Sequence, residues 1–263
     1  MSTPDRIEGI ELKIERAKAH IRDLHELLER FFKTNPYEAV RSENDSKPGD
    51  LTYYLRIHQD PPPEIGLIVG DAIHNLRSSL DHLAVQLVEA GGGAVTEGTC
   101  FPILSKPPAS AQELEARVKE KVQGARKEAI ALVAASEPYE GGNGHPLWVL
   151  HRLDIRDKHH LVIPAWTGYR SFGLNLTFPG FGEGPIDVPP VYLRPKDRGP
   201  MKDGHPLLHI AAAARTEYER EPDFRIEIAV HEPGIVECEP ILVLLAQLAE
   251  FVERTIEPFR ALL

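Results

Sequence analysis

Only two cysteines, Cys100 and Cys238, occur in this chain of 263 residues, and no Cys-x-x-Cys pair is present. That count excludes a disulfide framework and a cysteine-rich zinc site, leaving two ordinary reduced thiols. Long hydrophobic runs are equally scarce. No stretch approaches the roughly 18 to 20 apolar residues of a membrane span, and the opening MSTPDRIEGIELKIERAKAH lacks the apolar core of a signal peptide. A cytoplasmic protein without membrane association is therefore expected. Basic charge is in deficit, with 30 Lys and Arg against 40 Asp and Glu and a formal net charge of −10. Generic duplex DNA binding needs clustered cations that displace phosphate counterions, so that class is excluded, while a local basic cleft is not. Phosphate loops are missing too: Gly91-Gly92-Gly93 is followed by no Gly-Lys-Ser or Gly-Lys-Thr and closes a helix instead of opening one. No Gly-x-Ser-x-Gly nucleophile motif, internal repeat or low-complexity tract is found.

What the chain does contain, at 42% hydrophobic residues, is enough apolar material for one large or two small cores. From Ile7 to Phe32, Ile10, Ile14, Ala17, Ile21, Leu24, Leu27, Leu28 and Phe31 recur at helical spacing between charged positions. Asn35-Pro36, Lys47-Pro48-Gly49-Asp50 and Pro61-Pro62-Pro63 then mark a connection around a short strand at Leu51 to Ile57. A second long helix runs from Ile65 to Ala90 on Ile73, Leu76, Leu80, Leu83 and Leu87. Gln112 to Ser136 reads as a third helix and Pro146 to Lys158 as a fourth. After His160 the texture turns to short β-type runs at Leu161 to Trp166, Phe172 to Phe178, Val191 to Arg194, Leu207 to Ala212 and Phe224 to Val230. Ile241 to Leu263 returns to an apolar helix. The expected fold class is α+β: an antiparallel bundle of about four helices over residues 1–165, then a small antiparallel β-rich region over 166–263 with the C-terminal helix packing back on it.

Chemistry concentrates in Gly70-Asp71-Ala72-Ile73-His74-Asn75-Leu76-Arg77-Ser78-Ser79-Leu80-Asp81-His82. At about 100° per residue the aliphatic residues share one side, and Asp71, His74, Asn75, Arg77, Ser78, Asp81 and His82 fill the opposite arc. A merely solvated arc would carry Lys and Glu, as residues 113–128 do; short hydrogen-bonding groups stand here instead. Arg77 and Asp81 are four apart and suited to an ion pair, and Asp71 is placed to support Asn75 or Ser78. A second polar cluster, His151 to His160, closes the fourth helix. Its Arg156, Lys158, His159 and His160 suit a phosphate-binding rim, or else they neutralise the helix C-terminus while Asp154 and Asp157 pair with nearby arginines.

The segment Arg77-Ser78-Ser79-Leu80-Asp81-His82 resembles the Arg-x4-His motif of the HEPN superfamily of helical bundles. The resemblance implies a metal-independent endoribonuclease site at a homodimer interface, of a bacterial defence or toxin system, needing no cofactor. Arg77 would orient the scissile phosphate and His82 would act as general acid or base, with Asp71, His74, Asn75, Ser78 and Asp81 as the supporting network. GDAIHNLRSSLDHLA, Cys100-Phe101-Pro102-Ile103 and Leu153 to His160 with Asp157-Lys158-His159 together are also similar to a group of uncharacterised bacterial proteins, a likeness that supplies no activity. Two departures from the HEPN pattern stand out: no tyrosine follows His82 closely, and the β-rich part is not a standard HEPN element.

Two other readings compete. In one, Arg77 and His82 belong to a structural polar network, and the chain is a non-catalytic HEPN-like binding or scaffold protein. In the other, His74, His82, His151, His159 and His160 with Asp71, Asp81 and Asp157 ligate zinc, manganese or iron, although no His-x3-His or Glu-x2-His spacing supports it. Trp148 is expected to anchor the fourth helix in the core, and Phe101 to lie beneath the bundle.

Overall fold

The structure is a computed structural model that describes residues 6–43, 49–160, 164–173, 200–210 and 223–263. It is mixed α and β, with small antiparallel sheets and a C-terminal helix. In chain order come α1 (Glu8–Lys33), β1 (Tyr37–Glu43), β2 (Leu51–Ile57), α2 (Glu64–Ala90), α3 (Ala111–Lys121), α4 (Lys127–Ala135), α5 (His145–His159), β3 (Pro164–Gly173), β4 (Pro206–Ile210), β5 (Asp223–Glu232), β6 (Val236–Pro240) and α6 (Ile241–Ile256), closed by a 3₁₀ turn at Glu257–Leu262.

Contacts divide the chain into two units that interleave along the sequence, a different division from a single boundary near 165. One comprises Met1–Glu26, Glu64–Val162 and Leu242–Leu263, the other Leu27–Pro63 and Ile163–Ile241. The physical reason lies in the C-terminal helix. Lys18 of α1 reaches Glu253 of α6 at 2.7 Å, and Arg260 reaches Glu11 at 2.7 Å, so residues 242–263 close the helical unit. In α6, Leu244, Leu245, Leu248, Ala249, Val252 and Ile256 form its buried stripe.

In the helical unit, α1 buries Ile10, Ile14, Ala17 and Leu24 at the spacing its sequence predicts. Residues 112–136 form two helices where one was expected. α3 begins at Ser110, whose side chain accepts from the Glu113 N–H, and ends at Lys121. The break falls at Gly124, whose φ of 94° is in the left-handed region, and where the backbone abuts Gly93. The glycines after α2 thus cap that helix, with the Gly93 N–H donating to the Val88 carbonyl at 2.9 Å, and also make room for the α3–α4 turn.

Among its described residues, the second unit carries two three-stranded antiparallel sheets, ordered β1-β2-β4 and β3-β5-β6. β2 matches its expected span, with Leu51, Tyr53 and Leu55 buried on alternate positions. β1 and β6 were not foreseen. YEAVRSE has a single β-branched residue and VECEP is short and Pro-terminated, so each is defined by its partner strand more than by its own composition. Of the other expected strands, Val191 to Arg194 lies outside the described residues, as do residues 161–163, 174–178 and 211–212 of three more. The Tyr53 and Phe224 rings meet at 5.3 Å, and the Ile226 N–H donates to the Tyr37 hydroxyl at 3.2 Å, joining the two sheets. No helix among the described residues is long and apolar enough to cross a membrane.

Candidate functional site

α2 and α5 run antiparallel along a line of polar contacts in which α2 numbers rise as α5 numbers fall. Gly70 sits under the Asp157 carboxylate, which occupies the space a Cβ would need. One turn on, His74 Nδ1 lies 3.1 Å from Asp154 Oδ1. The next contact joins Arg77 to His151, where Nε donates to the imidazole Nδ1 at 3.3 Å. The i, i+3 and i+4 spacing on both helices produces this ladder, because it keeps one face of each turned toward the other.

Arg77 is the centre of the arrangement. It is 6% exposed. Besides His151, its Nη1 donates to Asp81 Oδ1 at 2.7 Å and its Nη2 to the Phe101 carbonyl at 3.0 Å. Asp81 Oδ1 in turn accepts the Phe101 N–H at 3.0 Å. The Arg77–Asp81 pair, which the i, i+4 spacing predicted, thereby satisfies both backbone groups of Phe101, whose side chain is wholly buried. An extended segment is clamped to a helix by two side chains, much as a neighbouring strand would hold it. A guanidinium committed to a carboxylate, a carbonyl and an imidazole has its fork aimed inward at the protein.

The imidazole of His151 completes the picture. Burial, together with the adjacent Arg77 guanidinium, pushes its pKa down to about 4. His151 is therefore neutral at physiological pH, with Nδ1 free to accept from Arg77 and the proton on Nε2. Its folded value lies below the ordinary value of about 6.5, so the unfolded chain takes up the proton first as pH falls. Its contribution to stability is fully present above about pH 6.5 and is lost as pH drops through 4. Denaturation midpoints measured across that range should fall with a slope of up to one proton, and His151→Gln, which keeps an acceptor but does not titrate, should flatten that segment. An unchanged profile in the variant would refute the assignment.

The remaining residues of the α2 arc do not join Arg77. His82 is exposed, lies about 140° around the helix from Arg77, and has its Nδ1 near Gly9 of α1. Among the described residues it makes no hydrogen bond. Asn75 donates to the Asp71 carbonyl at 2.8 Å, so Asp71 supports it through its backbone and not its carboxylate. Asp71 and His74 are exposed and Ser78 is half-buried. The neighbouring Ser79 is fully buried, its hydroxyl donating to the Leu76 carbonyl at 2.7 Å. The arc is thus not one open polar face. Its Arg77 edge is covered by α5 and by Phe101, while Asp71, His74 and His82 reach solvent.

At the end of α5, Lys158 Nζ pairs with Asp154 Oδ2 at 2.5 Å, while Arg156, His159 and His160 are exposed. Asp154, 2% exposed, bonds His74 and Lys158, where arginines were the expected partners. Its buried carboxylate orients an imidazole whose Nε2 has no hydrogen-bond partner among the described residues, an arrangement that suits proton transfer. The sequence places His74 in the supporting network or among metal ligands and pairs Asp154 with arginines; the contact between the two is not legible there, because they are 80 residues apart. Trp148 is buried as expected, with the His145 ring stacked on it at 5.4 Å and the Arg152 guanidinium 5.8 Å from its centroid. Burial and the Asp81 charge push the Cys100 thiol pKa up, which keeps it protonated and unreactive. Among the described residues, no group of three or more His, Cys, Asp or Glu is placed to hold a metal ion.

No family model, curated protein or solved structure matches the chain.

Proposed function

We propose that the chain is a non-catalytic, HEPN-like helical protein that acts in the cytoplasm as a homodimeric binding or scaffold module. The observation that supports this reading is the state of Arg77. A phosphate-orienting arginine needs its donors free toward substrate, whereas here the guanidinium is buried against Asp81, Phe101 and His151. His151 is held neutral, so it adds no positive charge for a phosphate. Lys158, the central cation of the α5 cluster, is occupied by Asp154. On this reading the Arg-x4-His pattern marks a helix whose arginine fixes the 101–104 segment and α5.

The ribonuclease reading has its own support in the exposed His82 and in the imidazole of His74 oriented by Asp154. Both are tested together by incubating the purified protein with total cellular RNA in the presence of a chelator, beside His82→Ala and His74→Ala. The expected result is the same RNA pattern for all three proteins and the buffer blank. Cleavage by the wild type that either substitution abolishes would overturn the non-catalytic reading and identify the base.

A further inference from the structure

β2 presents its residues to two sides: Leu51, Tyr53 and Leu55 enter the core, and Thr52 stands on the opposite face. The antiparallel register sets His209 of β4 directly across from Thr52. Asp50, two residues before Thr52, completes the group. Thr52 Oγ1 lies 3.1 Å from His209 Nδ1, and His209 Nε2 lies 3.3 Å from Asp50 Oδ2. A hydroxyl, an imidazole and a carboxylate thus form one chain of contacts, all of it within the second unit.

The donors and acceptors of the three groups set the direction of both contacts. A carboxylate only accepts, so the single proton of a neutral imidazole sits on Nε2, facing Asp50, and Nδ1 is left to accept from the Thr52 hydroxyl. A hydroxyl that donates to an imidazole, itself held from its far side by a carboxylate, is an oxygen nucleophile with its base in place. Exposure suits the same role. The Asp50 side chain is 12% exposed and Thr52 is 8% exposed, whereas the His209 side chain is 52% exposed, so the group opens to solvent at the imidazole. The little room at Thr52 confines the reactant to a short acyl group.

We propose that Thr52, His209 and Asp50 form an acyl-transfer site for small carboxylic esters. Thr52 Oγ1 bonds to the ester carbonyl carbon as its proton passes to His209 Nδ1; the ester C–O bond breaks, and the alcohol leaves with the bonding pair and that proton. Water then attacks the acyl carbon, its proton passing through the same nitrogen to the Thr52 oxygen as the acid leaves. Asp50 is a positioning residue that keeps the imidazole in the accepting tautomer. The proposal goes beyond the reading above, which concerns α2 and α5, and does not depend on Arg77.

The test incubates the full chain with p-nitrophenyl acetate, follows nitrophenolate by absorbance and locates the acetyl group by peptide mass mapping. An acetyl ester on Thr52 is expected, with nitrophenolate release above the buffer blank. His209→Gln and Asp50→Asn, each close in size to the residue it replaces, should slow acetylation of Thr52 by about 100-fold or more with wild-type circular dichroism. Thr52→Ser should still be acetylated at position 52. Acetylation of surface lysines, which these substitutions do not touch, is the internal standard. A polar tie that only joins two strands yields no acyl-threonine. Absence of the acetyl group from Thr52 in the wild type, or equal acetylation of Thr52 in folded His209→Gln or Asp50→Asn, would overturn the proposal.

Discussion

Arg77→Ala is expected to lower stability by about 3 kcal/mol, chiefly by leaving the Phe101 carbonyl and the His151 imidazole without their charged donor. Three acceptors lose their donor at once: the Asp81 carboxylate, the Phe101 carbonyl and the His151 imidazole. The Phe101 N–H also loses a fixed acceptor once Asp81 is free to turn toward solvent, which its 37% side-chain exposure permits. Arg77→Lys should recover less than half of the loss, because a single ammonium cannot reach three acceptors spread around a planar fork. Denaturant midpoints for the two variants and for Asp81→Ala, with the double variant to close the cycle, give the coupling directly. A loss below about 1 kcal/mol for Arg77→Ala would mean that the guanidinium is not a structural clamp, and would return it to the list of groups available to a ligand.

Gly124→Val carries the second large effect, about 3 kcal/mol or more. Two independent costs fall on this position. Its φ of 94° is strained for any residue with a Cβ, and a Cβ built there would stand 2.6 Å from the Gly93 Cα, which is backbone and cannot swing aside. Gly92→Ala is the control that separates them. Gly92 has a φ of 79° but nothing within 4 Å of its Cβ position, so only the conformational cost of about 1 to 2 kcal/mol applies. Urea midpoints should therefore rank wild type above Gly92→Ala, above Gly124→Ala, above Gly124→Val. If Gly124→Ala were no worse than Gly92→Ala, the close approach of the two backbones would be disproved.

What the sequence made legible follows from the range of each interaction. The Arg77–Asp81 pair could be read because four residues are one turn of helix, and β2 because Leu51, Tyr53 and Leu55 alternate with polar neighbours. The partners of Arg77 could not. Phe101 and His151 are 24 and 74 residues away, and nothing local indicates that a guanidinium will meet them. Periodicity also misled in one respect. It placed the aliphatic residues of α2 inside and the polar arc outside, whereas α5 and Phe101 bury part of that arc as well, leaving Arg77 in the interior. The long helix expected over 112–136 failed at Gly124, where propensity alone favours continuing through a Lys- and Glu-rich stretch and only the tertiary contact with Gly93 requires the turn. The three stretches around Gly70 to His82, Phe101 and Leu153 to His160, far apart in sequence, prove to be a single contact set.

The interleaving of the two units has a consequence for how the chain is made. The ion pairs that tie α1 to the C-terminal segment span 235 and 249 residues. A ribosome adding about 5 to 20 residues per second needs roughly 10 to 50 s to cover that distance. Throughout that interval Ile10, Ile14 and Ala17 exist without the last helix of their unit, and the second unit is also unfinished until β6 has been made. The second unit, whose last segment ends at Ile241, is therefore completed before the helical unit, although the helical unit is begun first. Until residues 242–263 have been made, the buried stripe of α1 lacks the helix that closes its unit, and a holdase chaperone has apolar surface there to bind.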